Sequence, residues 1–81
     1  MNSDSEAPRP LWAHPRSPAD LGAFLRAARL EENLSQDALA DELGLDRRVL
    51  QRIEAGEATL YATRLFALMQ RLGVELEMRR R

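Results

Sequence analysis

Four side chains capable of specific polar recognition fall within one short stretch: Arg47, Arg48, Gln51 and Arg52. On a helix, residues three and four apart are neighbours, so these four share one face. An arginine fork matches the O6 and N7 acceptors of guanine, and glutamine pairs bidentately with adenine. No acid stands between Asp46 and Glu54, although acids outnumber bases by 13 to 12 over the whole chain. A locally basic helix on an acidic body suits selective DNA binding better than indiscriminate coating of nucleic acid. The same face is also what a merely solvated helix presents. All 12 basic residues are arginine, a compositional bias that makes this richness less telling. Spacing alone leaves both readings open.

Little else in the chain is equipped for chemistry. There is no cysteine, which excludes disulfides, thiolate metal sites and thiol nucleophiles. The single histidine, His14, stands between Ala13 and Pro15 without a serine or carboxylate at a useful spacing, so neither a catalytic nor a metal role is expected of it. No phosphate loop or dinucleotide fingerprint is present. The expectation is a non-enzyme with no catalytic residue, metal or cofactor. Leu11 and Trp12, set among Pro8, Pro10 and Pro15, are candidates for docking on a partner protein; they could equally fold back on the domain or remain a lone exposed pair. The run Arg79-Arg80-Arg81 reads as a solubilising end or as a tail touching phosphate or a partner. No apolar run approaches the ~20 residues of a membrane span, and the N-terminus resembles no secretory signal, so the expected location is cytoplasmic.

The elements that must position these groups follow from punctuation and period. All 4 prolines lie within the first eighteen residues, and residues 1–17 carry no periodic pattern. That stretch is expected to be a flexible, proline-rich arm. Residues 18–73 form the domain. Ser17 caps a first helix with Pro18 at its first position and Asp20 three residues after the cap. Leu21, Phe24, Leu25 and Ala28 then make an apolar stripe. Gly22 weakens that helix unless packing requires it. A second helix starts at Ser35, gathers Leu39, Ala40 and Leu43 on one side, and stops at Gly44. Asp46 caps a third, which is expected to bury Val49, Leu50 and Ile53 and to end near Gly56. A fourth runs from about Thr59 to Gly73 with Leu65, Phe66, Leu68, Met69 and Leu72 on its apolar side. Glu31 and Glu32 read as a solvated helix end.

In residues 74–81 the period changes. Val74, Leu76 and Met78 alternate with Glu75 and Glu77, which suits a half-buried strand. A lone strand in a helical chain has no partner of its own, and a domain of ~60 residues is marginal by itself. Both points favour a homodimer in which two such strands pair through Val74, Leu76 and Met78; the alternative is a frayed tail.

Helix, tight turn at Gly44-Leu45-Asp46 and second short helix make a helix-turn-helix arrangement, with Leu45 and Leu50 filling the space between. The residues Leu25-Arg26-Ala27-Ala28-Arg29, Leu34-Ser35-Gln36-Asp37-Ala38-Leu39-Ala40, Leu43-Gly44-Leu45 and Ile53-Glu54-Ala55-Gly56 closely resemble the Cro/C1-type, or XRE-type, helix-turn-helix family. Within it the chain looks most like the HipB-type antitoxins, through Ser17-Pro18 and through Met69-Gln70-Arg71-Leu72 followed by Val74 to Met78. The resemblance implies an all-α, lambda-repressor-like domain of four to five helices whose short C-terminal strand pairs in a dimer. It also implies a DNA-binding set of Ser35, Gln36, Arg47, Arg48, Gln51 and Arg52, and a structural ion pair between Arg29 and Glu54. Its implied partners are double-stranded operator DNA with an inverted repeat, a second copy and a HipA-like kinase toxin. Asp46 departs from a neutral or basic position of several relatives and is taken as a cap. Ala55 replaces a frequent asparagine, which loses a phosphate contact. A stand-alone XRE-type regulator, or a helical protein-interaction module that binds no DNA, are the other functions this chain would suit.

Overall fold

The computed structural model describes residues 12–80. The elements run β1 (Trp12–Ala13), α1 (Pro18–Glu31), α2 (Gln36–Leu43), α3 (Arg47–Glu54), α4 (Leu60–Leu72) and β2 (Met78–Arg79). The four helices carry the domain. Each starts on a residue whose side-chain oxygen accepts a backbone N–H that the first turn leaves unpaired. Ser17 accepts from Asp20, Ser35 from Ala38, Asp46 from Arg48 and Thr59 from Ala62. The Asp20 carboxylate accepts from the Arg16 N–H at 2.8 Å, so it fixes the residue ahead of the cap. Helices α2 and α4 stop on Gly44 and Gly73 in the left-handed conformation, where the absence of a Cβ removes the steric penalty. After α1 the same conformation falls on Asn33, at φ 58°.

Helix α3 packs against both α1 and α2, and α4 packs against α1. The apolar core is small: Phe24, Ala40, Leu50 and Phe66. Ala40 is 2% exposed, consistent with close contact beside the α2–α3 turn. The expected burial of Val49 and Ile53 is corrected, because both remain exposed together with Leu25, Leu43 and Leu45. Short helices of eight residues are covered on one side only, so the flanks of each apolar stripe stay open to water. On α4 the exposed apolar residues Tyr61, Leu65, Leu68 and Leu72 recur at heptad spacing. Leu68 and Leu72 are 57% and 64% exposed.

The chain ends meet. Strands β1 and β2 pair antiparallel, with Trp12 opposite Arg79 and Ala13 opposite Met78. This corrects two expectations. The C-terminal strand has a partner within its own chain, and it begins at Met78, so Val74 and Leu76 lie in irregular backbone. The partner falls within the proline-rich arm, where Trp12 and Ala13 lie between Pro10 and Pro15 and retain the N–H groups that proline lacks. Pro15 is buried as well, so residues 12–17 pack with the body; the rest of the expected flexible arm, residues 1–11, lies outside the described residues.

Candidate nucleic-acid interface

Gly22 sets how closely α1 lies on the end of α3. A Cβ there would overlap the carbonyl oxygens of Ile53 and Glu54, so only glycine permits this approach. The contact brings Arg29 of α1 to Glu54 at the last turn of α3. Arg29 Nε donates to Glu54 Oε2 at 2.6 Å and a second guanidinium nitrogen donates to Oε1 at 2.9 Å. Both side chains are almost wholly buried, 6% and 2% exposed. A third donor of Arg29 reaches the Leu34 carbonyl at 2.7 Å and ties down the loop into α2. The hydrogen bond from Arg29 holds the Glu54 carboxyl below the usual carboxylate range against the opposing effect of burial. The same bond raises the Arg29 guanidinium.

Gln36 joins this pair. Its side-chain amide donates to Glu54 Oε1 at 3.0 Å, and the residue is half-buried. The side chain matched by resemblance to a phosphate contact is thus turned toward the domain. Ser35 is exposed and its hydroxyl caps α2 by accepting the Ala38 N–H at 3.0 Å. One buried carboxylate thereby links α1, the start of α2 and the end of α3.

On the opposite side of α3 the four polar residues at 47, 48, 51 and 52 are all exposed. Each arginine meets a carboxylate. Arg47 lies 3.5 Å from Asp37 on α2, Arg48 lies 3.4 Å from Asp46, and Arg52 lies 4.0 Å from Glu57 in the loop after α3. The Asp46 carboxyl is held low chiefly by the Arg48 backbone N–H at 2.8 Å and then by the Arg48 side chain. Asp46 therefore serves α3 as its cap. A shallow depression lined by Ser35, Asp37, Ala40, Asp41, Leu45 and Arg47 separates the starts of α2 and α3. Among the described residues no His, Asp and Glu cluster has the form of a metal site.

Away from this face, Met78 is half-buried in β2, while Val74 and Leu76 are exposed beside a groove floored by Phe66 and Met69. Leu11 lies outside the described residues; Trp12 is placed by its backbone in β1. The contact that sequence reasoning missed is that of Arg80. Its guanidinium donates to the Ala28 carbonyl at 2.7 Å and pairs with Glu31 and Glu32, so the supposed solvated end of α1 is bridged to the tail. The only available cue was two adjacent acids at a helix end and a terminal run of arginine. The described helices include none long and apolar enough to cross a membrane.

Comparison with known proteins agrees with this arrangement. The profile of the family described as Helix-turn-helix (HTH_3) matches residues 25–78. An uncharacterized HTH-type transcriptional regulator, y4mF, of Sinorhizobium fredii is 37% identical over 62 residues, which cover 76% of this chain and 82% of that protein. No solved structure matches significantly.

Proposed function

Because the chain belongs to the helix-turn-helix family, we propose that it is a sequence-specific transcriptional repressor that binds its operator as a homodimer. The observation that carries the reading is the exposed row Arg47, Arg48, Gln51 and Arg52 on a helix seated by α1 and α2. Arg48 and Gln51 read base edges in the major groove; Arg47 and Arg52 divide between bases and flanking phosphates. Ser35 faces phosphate at the start of α2, where the backbone N–H groups of the first turn favour an anion; Gln36, its side chain turned toward Glu54, contributes there through its backbone N–H. Two recognition helices, roughly 34 Å apart, then meet successive major grooves of an inverted repeat.

Support for the homodimer comes from the apolar surface that one copy leaves uncovered. Tyr61, Leu65, Leu68 and Leu72 on α4, with Val74 and Leu76 just beyond, are all exposed in one copy, the kind of apolar surface that an interface covers. The finer reading is a HipB-like antitoxin that represses its own operon and neutralises a HipA-like kinase. It rests on the Ser17-Pro18 opening and on the residues around Met69 to Met78, as given by the resemblance.

The test is binding of the purified protein to duplex DNA from upstream of its own gene, beside a shuffled duplex, across a salt series. Selective binding whose affinity falls steeply with salt supports the repressor. Equal, weak and salt-insensitive behaviour on both duplexes removes it and leaves a protein-interaction module. Co-purification with a kinase encoded by the adjacent gene supports the antitoxin; a lone dimer on its operator leaves a stand-alone regulator.

A further inference from the structure

We propose that Asp37 and Glu57 limit the affinity of this protein for DNA of any sequence, by holding two arginines of the recognition face in ion pairs that a phosphate has to displace. The inference rests on the DNA-binding reading and adds to it the groups that set how weak non-specific binding is.

The argument begins with charge at the face rather than over the chain. Helix α3 presents three arginines and no acid in its exposed row, which by itself is a strongly attractive surface for a polyanion. The folded protein cancels that attraction from three separate places. Asp37 comes from α2 and meets Arg47, Asp46 comes from the cap of α3 and meets Arg48, and Glu57 comes from the following loop and meets Arg52. Each arginine thus has its own carboxylate, and the row is close to neutral. Asp46 has a second task, because its carboxylate accepts the Arg48 backbone N–H. Asp37 and Glu57 cap nothing among the described residues, and their ion pairs are their visible interactions.

These pairs are open to water. Arg47 and Asp37 are 55% and 72% exposed, so their attraction is weak and screened, and a phosphate is able to displace it. Once displaced, the carboxylate still lies near the phosphate and repels it. This cost applies on every duplex, since phosphates are everywhere. Base-edge hydrogen bonds from Arg48 and Gln51 are gained only on the right sequence. The acids therefore lower the sequence-independent part of binding and leave base readout intact. Because the operator is bound more tightly, an equal loss of affinity empties non-specific sites before it empties the operator.

The experiment compares the full chain with Asp37→Asn, Glu57→Gln and the Asp37→Asn/Glu57→Gln double variant, on operator and on shuffled duplex, through a salt series. Glu42→Gln is the control: Glu42 is exposed on α2, makes no ion pair among the described residues, and its replacement changes net charge equally. Circular dichroism confirms that each variant is folded. The expected result is an affinity gain of about two- to five-fold per substitution on both duplexes, with a steeper salt dependence and a much smaller gain for Glu42→Gln. Gains equal to those of Glu42→Gln would reduce the effect to net charge and overturn the proposal. Unchanged affinity in the two paired variants overturns it directly while leaving the repressor reading intact. Absence of salt-sensitive binding to either duplex, in the parent and in every variant, removes the DNA-binding reading and this inference with it.

Discussion

Arg29 and Glu54 stand 25 residues apart in the chain and meet side by side through two hydrogen bonds of 2.6 and 2.9 Å. Around that pair α1, the start of α2 and the end of α3 are joined. Arg29 also holds the Leu34 carbonyl, Gln36 adds a donor to Glu54, and Gly22 lets α1 come close enough for the two to meet. The orientation of α3 relative to α2 is therefore fixed by polar contacts at its end as much as by Leu50 in its middle. A buried pair of this kind is costly to break on one side only, because the remaining charge is left without a partner.

The pair makes stability depend on pH with a defined sign. Glu54 ionises more readily in the folded protein than in the unfolded chain, so its contribution is complete above the unfolded value of about 4.3. It is lost as pH falls through the lower folded value. Glu54→Gln is expected to lower Tm clearly at neutral pH. The gap between variant and parent should then narrow in acid. Thermal unfolding followed from pH 7 to pH 3 measures this, and a gap of constant size would mean that shape rather than charge holds the contact.

Two glycine substitutions should behave differently for reasons visible in the packing. Gly22→Ala adds helix propensity, yet its methyl group meets the backbone of Ile53 and Glu54. The expected net loss is about 1–3 kcal/mol, the ordinary cost of overpacking. Gly44→Ala meets no atom within 4 Å but sits at φ 67°, so its loss should be near the backbone penalty of about 1 kcal/mol. Chemical denaturation resolves the two, and a stabilised Gly22→Ala would show that α1 and α3 lie farther apart.

Base readout and phosphate contact separate in the binding pattern. Arg48→Ala should cost about 1–3 kcal/mol on the operator and relax preference at the base it reads. Arg47→Ala should weaken operator and shuffled duplex alike and flatten the salt dependence. Titration of a small panel of operator variants with both proteins distinguishes them. Unchanged site preference in Arg48→Ala would take Arg48 out of the readout.

Association is predicted to depend on α4 and the segment after it. Leu68→Lys places a charge in the middle of the exposed heptad stripe, and Leu76→Lys places one beside the groove. Sedimentation of each variant should shift the protein toward monomer, with Leu68→Lys the more severe. Since Leu68 is exposed within one chain, its replacement should leave the helix content of that chain unchanged. An intact Leu76→Lys dimer beside a dissociated Leu68→Lys would assign association to α4 alone.

Where each helix begins and ends was legible in the residues, because capping is a local matter. Ser17, Ser35, Asp46 and Thr59 each act on an N–H two or three residues ahead, and Gly44 and Gly73 act on their own turn. The exposed row on α3 was legible for the same reason, since helical period places Arg47, Arg48, Gln51 and Arg52 together whatever surrounds them. Period does not say what covers an apolar stripe. Val49 and Ile53 fit the pattern of buried residues and stay exposed, because no second layer reaches the flanks of so short a helix. Strand pairing was decided by tertiary structure alone: Met78 found Ala13 across nearly the whole chain, in an arm whose prolines hid two residues able to pair. The inward turn of Gln36 toward Glu54 and the bridge from Arg80 to α1 are likewise contacts between distant residues. Local rules fix the elements of this protein; only their docking decides which charges are buried and which carboxylate each exposed arginine meets.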